Sequence, residues 1–274
     1  VPSFLNMHLD LVGSSENQQG ETSLSTGIEV RNLTKKFHKE ILYQNFSLSI
    51  PGGQFTSIFG PNGCGKSTLL SMISGLIPFD SGEVYFVGKP LAETKIGYVF
   101  QNYRDALFPW LRASDNITYP LSRAGLSKVQ RKLKLEELVH KFGVKFDLKR
   151  YPYELSGGQQ QLVSIMRALA TGPEVLFLDE PFSALDYEAT LSIIEKLQEV
   201  FISSGVTMVM ISHNLEEAIY LSNNVVLLTK RPTHIAEIIS FDISHPRTAN
   251  TLSDPRFIDT KAYSLDIFRR EVSR

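Results

Sequence analysis

The chain has 274 residues, 42% of them hydrophobic, with 28 Lys and Arg against 29 Asp and Glu, six His and one Cys. This is enough apolar material for a sizeable core over one or two domains, and a formal net charge of -1 gives no global basic field for nucleic acid. An internal disulfide is excluded, and no apolar run approaches the about 18 residues that cross a bilayer. The first residues, VPSFLNMHLDLVGSS, lack a basic start and carry Asp10 within their short apolar stretch, a poor match to a secretory signal. The expectation is a soluble protein of a reducing compartment.

Residues 1–27 end in a polar, Gly- and Ser-rich run and are expected to form a flexible extension, although SFLNMHLDL could dock elsewhere. From Gly27 onward, short β-branched or aromatic runs alternate with helical patterns. Strands are predicted at 28–32, 54–59, 83–88, 96–100, 175–178, 206–211 and 225–229. Helical faces are predicted from Leu69, Met72, Ile73 and Leu76, from Leu162, Ile165, Met166 and Leu169, and from Leu191, Ile194, Leu197 and Phe201. Strands separated by helices imply a largely parallel, buried sheet of an α/β fold. An amphipathic helix over 127–142, capped by Ser127, lies in a strand-poor segment of about 102–160, expected to be a helical insert. No internal repeat is evident.

GPNGCGKST, from Gly60 to Thr68, follows the strand QFTSIFG and opens a helix at Lys66. It matches G-x-x-x-x-G-K-[ST] in full and in the strand-to-helix context the motif needs. The glycines let successive N–H groups face phosphate oxygens, and the helix N-terminus adds partial positive charge. The candidate nucleotide-binding set is therefore Gly60, Pro61, Asn62, Gly63, Cys64, Gly65, Lys66, Ser67 and Thr68. Lys66 would reach the β- and γ-phosphates, Ser67 would ligate Mg²⁺ and Thr68 would meet the α-phosphate. Cys64 reads as a small residue at a permissive loop position; a redox role is the alternative, because a helix N-terminus can lower a thiol pKa.

VLFLDEP, from Val175 to Pro181, is a buried strand ending in two acids. It would deliver Asp179 to the C-terminal edge of the sheet, where ligands sit in open α/β folds. Asp179 is expected to hold Mg²⁺ through water and Glu180 to polarise the attacking water.

LSGGQQQ, from Leu155 to Gln161, stands about 20 residues before that strand. With this element the chain resembles the ATP-binding cassette (ABC) family, in motif order from residue 28 to about 230. The resemblance implies a P-loop NTPase fold: a RecA-like core with a mainly parallel sheet, an antiparallel β subdomain and a helical insert. It also implies ATP and Mg²⁺ as cofactors and a dimer in which Ser156, Gly157, Gly158 and Gln159 face the γ-phosphate held by the opposite protomer. In the same way Gln101 corresponds to the glutamine that contacts Mg²⁺ and senses a transmembrane partner. Asp186, in SALD, belongs to the loop crossing the dimer interface, and His213 corresponds to the switch histidine on the γ-phosphate. Phe37 corresponds to the aromatic stacked on adenine, with Tyr43 as a possible substitute. Many relatives carry basic residues where this chain has Gln160 and Leu162, which puts rate and cross-dimer contacts in doubt.

Residues 231–271, within a C-terminal tail of 231–274 expected to pack on the domain, and FPWL after Gln101 resemble importer ATPases of the nitrate, sulfonate and taurine type. That implies import of a small solute through separate transmembrane permease subunits, with a solute-binding protein acting indirectly and no nucleic acid. The place implied is the cytoplasmic face of the inner membrane, as a peripheral subunit. Leu107, Phe108, Trp110 and Leu111 are either anchors for a partner's coupling helix or plain core. The partner cassette is a second copy or a related chain. A soluble ABC ATPase working on nucleic acid or the ribosome is the alternative; a cassette that binds nucleotide without hydrolysing it is disfavoured by the presence of Glu180 and His213.

Overall fold

A computed structural model describes residues 26–273, so most of the expected N-terminal extension lies outside the described residues. In chain order the elements begin with β1 (Thr26–Phe37), β2 (Glu40–Pro51), β3 (Phe55–Phe59), α1 (Lys66–Ile73), β4 (Ser81–Phe86), β5 (Lys89–Pro90) and β6 (Ile96–Val99). The helical stretch follows, with α2 (Tyr103–Ala106), α3 (Ala113–Arg123), α4 (Lys128–Phe142) and α5 (Gly157–Leu169). The last elements are β7 (Val175–Asp179), α6 (Tyr187–Ser204), β8 (Thr207–Ile211), α7 (Leu215–Leu221), β9 (Asn224–Leu228), β10 (Ile235–Ser240) and α8 (Pro255–Ser273).

The strands form two sheets. A six-stranded sheet runs β10-β9-β3-β8-β7-β6, parallel throughout except for β10, which pairs antiparallel at one edge. A four-stranded antiparallel sheet runs β2-β1-β4-β5. Strands β3, β7 and β8 are buried at every position, as strands covered on both faces must be. Their side chains alternate between two cores. Val175, Phe177, Val209 and Ile211 join Leu69, Leu70 and the antiparallel sheet on one side. Leu176, Leu178, Met208 and Met210 join α3, α5 and α6 on the other. Truncating one of these to Ala costs about 2–5 kcal/mol, because the closed layers cannot collapse into the void. A third core, with Phe59, Ile219, Val225, Ile239, Phe257 and Ile267, fastens β10 and α8 beneath α7.

Several expectations need adjusting. β1 starts at Thr26, inside the expected extension, and runs on to Phe37. Its partner β2 was not predicted, because alternation is broken where Leu42 and Tyr43 are buried together and Asn45 takes a positive φ of 50°. Pro120 sits inside α3, which hid that helix, and β10 is a half-exposed edge. Leu76 lies beyond the end of α1 and Leu191 is exposed, so neither belongs to the core face assigned to it. α4 is capped by Ser127, as expected: its Oγ accepts from Gln130 N while its own N–H donates to the Gln130 side chain.

Candidate active site

The C-terminal ends of β3, β6, β7 and β8 lie side by side, and the loops leaving them carry most of the residues singled out in the sequence. After β3 the chain bends through Gly60–Gly65 into α1. Gly65 has a φ of 102°, and a Cβ there would stand 2.8 Å from the Leu42 side chain, so no other residue fits without strain. Lys66 is buried, with its ammonium donating to the carbonyls of Gly60 at 2.9 Å and Pro61 at 3.1 Å. It has no carboxylate partner among the described residues. A desolvated cation held only by backbone carbonyls at the head of a helix suits a phosphate anion.

Ser67 Oγ donates to Asp179 Oδ1 at 3.0 Å, and the Tyr98 hydroxyl lies 3.4 Å from Asp179 Oδ2. Burial raises the Asp179 carboxyl above its ordinary range, against the Ser67 hydrogen bond, and the adjacent Glu180 charge adds to the rise. A buried carboxylate beside a hydroxyl and a phosphate cradle is a site that a hard divalent cation such as Mg²⁺ would relieve. Among the described residues no group of three or more His, Cys, Asp and Glu is arranged to hold a metal ion by itself, so the remaining ligands would come from nucleotide and water.

Glu180 follows in the left-handed region at φ 49°, a conformation that costs a non-glycine residue about 1–2 kcal/mol. Hydrogen bonds hold it there: its N–H donates to Ile211 O at 3.0 Å, and Ser183 donates to its carbonyl through both N–H and Oγ. The bend aims the carboxylate between two expected partners. Gln101 Nε2 donates to Glu180 Oε2 at 2.7 Å, and His213 Nε2 meets Oε1. Gln101, expected at the metal, reaches this edge with its amide nitrogen on Glu180. His213 remains half exposed, while Ser212 behind it is buried and donates to Glu217 at 2.7 Å.

The Ser156 corner stands apart from this cluster. Ser156 is exposed, and its Oγ and N–H are joined to Gln159 in a capping box at the start of α5. The helix begins at Gly157, directly after Ser156. A Cβ on Gly158 would stand 2.8 Å from Ala189 Cβ, and one on Gly157 would stand 2.9 Å from the Tyr103 hydroxyl. Both glycines are thus demanded by packing, whatever they also offer a ligand. Asp186 caps α6 through Ala189 N at 2.8 Å. Gln160 turns back to the Leu155 carbonyl, and Arg167 is taken up by the Ala106 carbonyl at 2.7 Å.

Phe37 is 46% exposed, with the Lys35 ammonium 5.1 Å from its ring centroid. Its cross-strand partner Glu40 binds Arg231, which in turn reaches the Gly63 carbonyl, so this end of the hairpin borders the phosphate loop. Tyr43, the possible substitute, is fully buried and donates to Gly65 O at 3.0 Å; it cannot stack on a base. Cys64 is buried and its thiol is pushed up by that burial, contrary to an activated thiolate. Sequence reasoning missed Tyr98, Arg231 and Thr233, which act as single side chains from distant segments and leave no local pattern.

Residues 43–183 match the family model described as ABC transporter. The chain is 35% identical to the taurine import ATP-binding protein TauB of Escherichia coli O6:H1 over 247 residues, covering 87% of this chain and 95% of that protein. It is 36% identical to an uncharacterized ABC transporter ATP-binding protein of Methanocaldococcus jannaschii, over 89% of this chain and 92% of that one. Among solved structures it is similar to the dimeric post-hydrolysis state of the ATP-binding cassette MJ0796 bound to ADP and Pi, with a TM-score of 0.69 and 31% identity over 79% of this chain and 100% of that chain.

Proposed function

The chain belongs to the ABC transporter family and is an ATPase; from that premise we propose that it is the energising subunit of an importer for a small sulfonate-type solute. The observation that carries the catalytic part is the meeting of Lys66, Ser67, Asp179, Glu180, Gln101 and His213 at one sheet edge. Gly60 to Thr68 would cradle the phosphates of ATP, and Ser67 and Asp179 would hold Mg²⁺, which when bound neutralises charge on the phosphates. Glu180 would orient and polarise the attacking water, and His213 would hold the terminal phosphate side of the site. Phe37 would stack on the base.

Ser156 and its neighbours Gly157, Gly158 and Gln159 stand ready to close the site of a second subunit, with Asp186 on the loop between. Dimerisation is in keeping with the dimeric cassette this chain resembles. Partners in the membrane are what membership of a transporter family implies, and among the described residues no helix is long and apolar enough to cross a bilayer. The subunit would sit peripherally on the inner face. Trp110, 70% exposed and tilted against Phe108, offers those partners an apolar anchor, whereas Leu107 is core. Taurine is the solute named for the Escherichia coli relative, which supports a small sulfonate over other anions.

Turnover and binding assays test the catalytic reading. Glu180→Gln should keep ATP affinity and lose turnover by about 10²-fold or more. Lys66→Ala should weaken nucleotide binding itself. Unchanged phosphate release in the first, or unchanged affinity in the second, overturns the assigned roles. Affinity purification from membranes should retrieve transmembrane subunits; retrieval of ribosomes or nucleic acid instead would refute import.

A further inference from the structure

The phosphate loop is braced from outside by residues that no motif predicts. Three consecutive carbonyls are each taken by a side chain from another segment. Arg231 Nε donates to Gly63 O at 2.7 Å, Thr233 Oγ1 to Cys64 O at 2.6 Å, and the Tyr43 hydroxyl to Gly65 O at 3.0 Å. In a trans peptide the next residue's N–H points opposite to the carbonyl. Drawing these carbonyls outward therefore turns the following amides to the opposite side, where the Cys64 N–H donates to Pro61 O at 3.3 Å, a carbonyl that Lys66 also meets. Gly63, at φ 76°, has no atom within 4 Å of where a Cβ would stand, and its peptide to Cys64 is held by the guanidinium on the carbonyl and by the longer Cys64 N–H to Pro61 O bond, 3.3 Å, on the amide.

The brace is one continuous strap. Thr233 pairs with Tyr43, and its N–H donates to Leu42 O at 2.8 Å, so the segment after β9 is stitched to β2. Thr233 and Tyr43 are both buried, while Arg231 is about half exposed and has its other arm on Glu40 at 3.0 Å. Glu40 closes the β1–β2 hairpin opposite Phe37. A single guanidinium thus connects the aromatic end of the hairpin with the phosphate loop, and it brings a positive charge to the loop's outer side.

We propose that Arg231 is a positioning residue for nucleotide binding: by holding the Gly63 carbonyl and Glu40 together it presets the loop for phosphate. This rests on the reading that Gly60 to Thr68 binds ATP. Because Arg231 acts through the loop and not on the terminal phosphate, ATP and ADP affinities respond alike.

The test is the full-length chain with Arg231→Gln, Arg231→Lys and Glu40→Gln, titrated with ATP and ADP in the presence of Mg²⁺. Arg231→Gln should weaken both nucleotides about fivefold to tenfold, with kcat at saturation changed by a smaller factor than KM. Lysine has one charged nitrogen and cannot serve Gly63 and Glu40 with the same fork, so Arg231→Lys should recover only part of the loss. Glu40 is largely exposed, so Glu40→Gln keeps the fold and should shift both affinities in the same direction by less. Wild-type affinity in both Arg231→Gln and Glu40→Gln overturns the proposal. A loss confined to ATP also overturns it, by indicating direct contact with the terminal phosphate. Lys66→Ala serves as the control: normal affinity there condemns the underlying reading of the loop, whereas loss there with normal Arg231→Gln condemns the brace alone.

Discussion

Asp179 has an environment that works against the empty protein. It is 6% exposed, and burial lifts its carboxyl above the usual range. A group whose folded pKa is raised binds its proton more tightly in the native state, so its contribution favours folding as pH falls through the raised value toward the ordinary carboxylate range. Above that value the ionised carboxylate is a liability, which the proposed Mg²⁺ would relieve. Asp179→Asn keeps an acceptor for Ser67 and removes the charge. The nucleotide-free variant should melt about 1–3 °C higher at pH 7, a difference that shrinks at pH 4, while turnover is lost. Calorimetry at the two pH values checks this; a lower melting temperature at pH 7 would mean that the Asp179 charge is already compensated.

At the scale of elements, two helices begin with the same device. Ser127 and Ser156 each cap their helix in a box closed by a glutamine three residues on. Removing either hydroxyl should cost about 1 kcal/mol of stability. Only Ser156 is assigned a second task, so Ser127→Ala and Ser156→Ala should lose similar stability in urea titrations while only Ser156→Ala loses ATP turnover. Equal turnover in the two would reduce the Ser156 corner to a helix cap.

The same scale explains what could be read from the sequence. Asp179 and Glu180 were legible because a fully buried strand leaves a run of apolar letters that stops where the chemistry starts. The Gly60–Thr68 loop was legible because its spacing and its strand-to-helix setting occur together. β2 was not, since a strand with positive-φ Asn45 and two adjacent buried residues departs from alternation. Tyr98, Arg231 and Thr233 could not be found at all: each depends on one side chain meeting a distant backbone or carboxylate, and nothing in local spacing records it. For Gly158 the sequence motif conceals a second cause, close packing on Ala189, which becomes visible only with α5 and α6 in place.

For the whole molecule, the proposed ATP site would be divided between two places. The Lys66–Asp179–Glu180 cluster lies at the edge of the parallel sheet, while Ser156 is exposed at the head of α5, with its hydrogen bonds turned to its own helix. On the proposed reading a single copy offers half of the groups a bound triphosphate would need, and a partner cassette would supply the rest. The most direct measurement is sedimentation of Glu180→Gln with ATP, in which slow turnover preserves the closed pair. The mass should double from 30.8 kDa, and adding Ser156→Arg should return it to the monomer with nucleotide still bound. A double variant that still pairs on ATP would contradict the division of the site between two subunits.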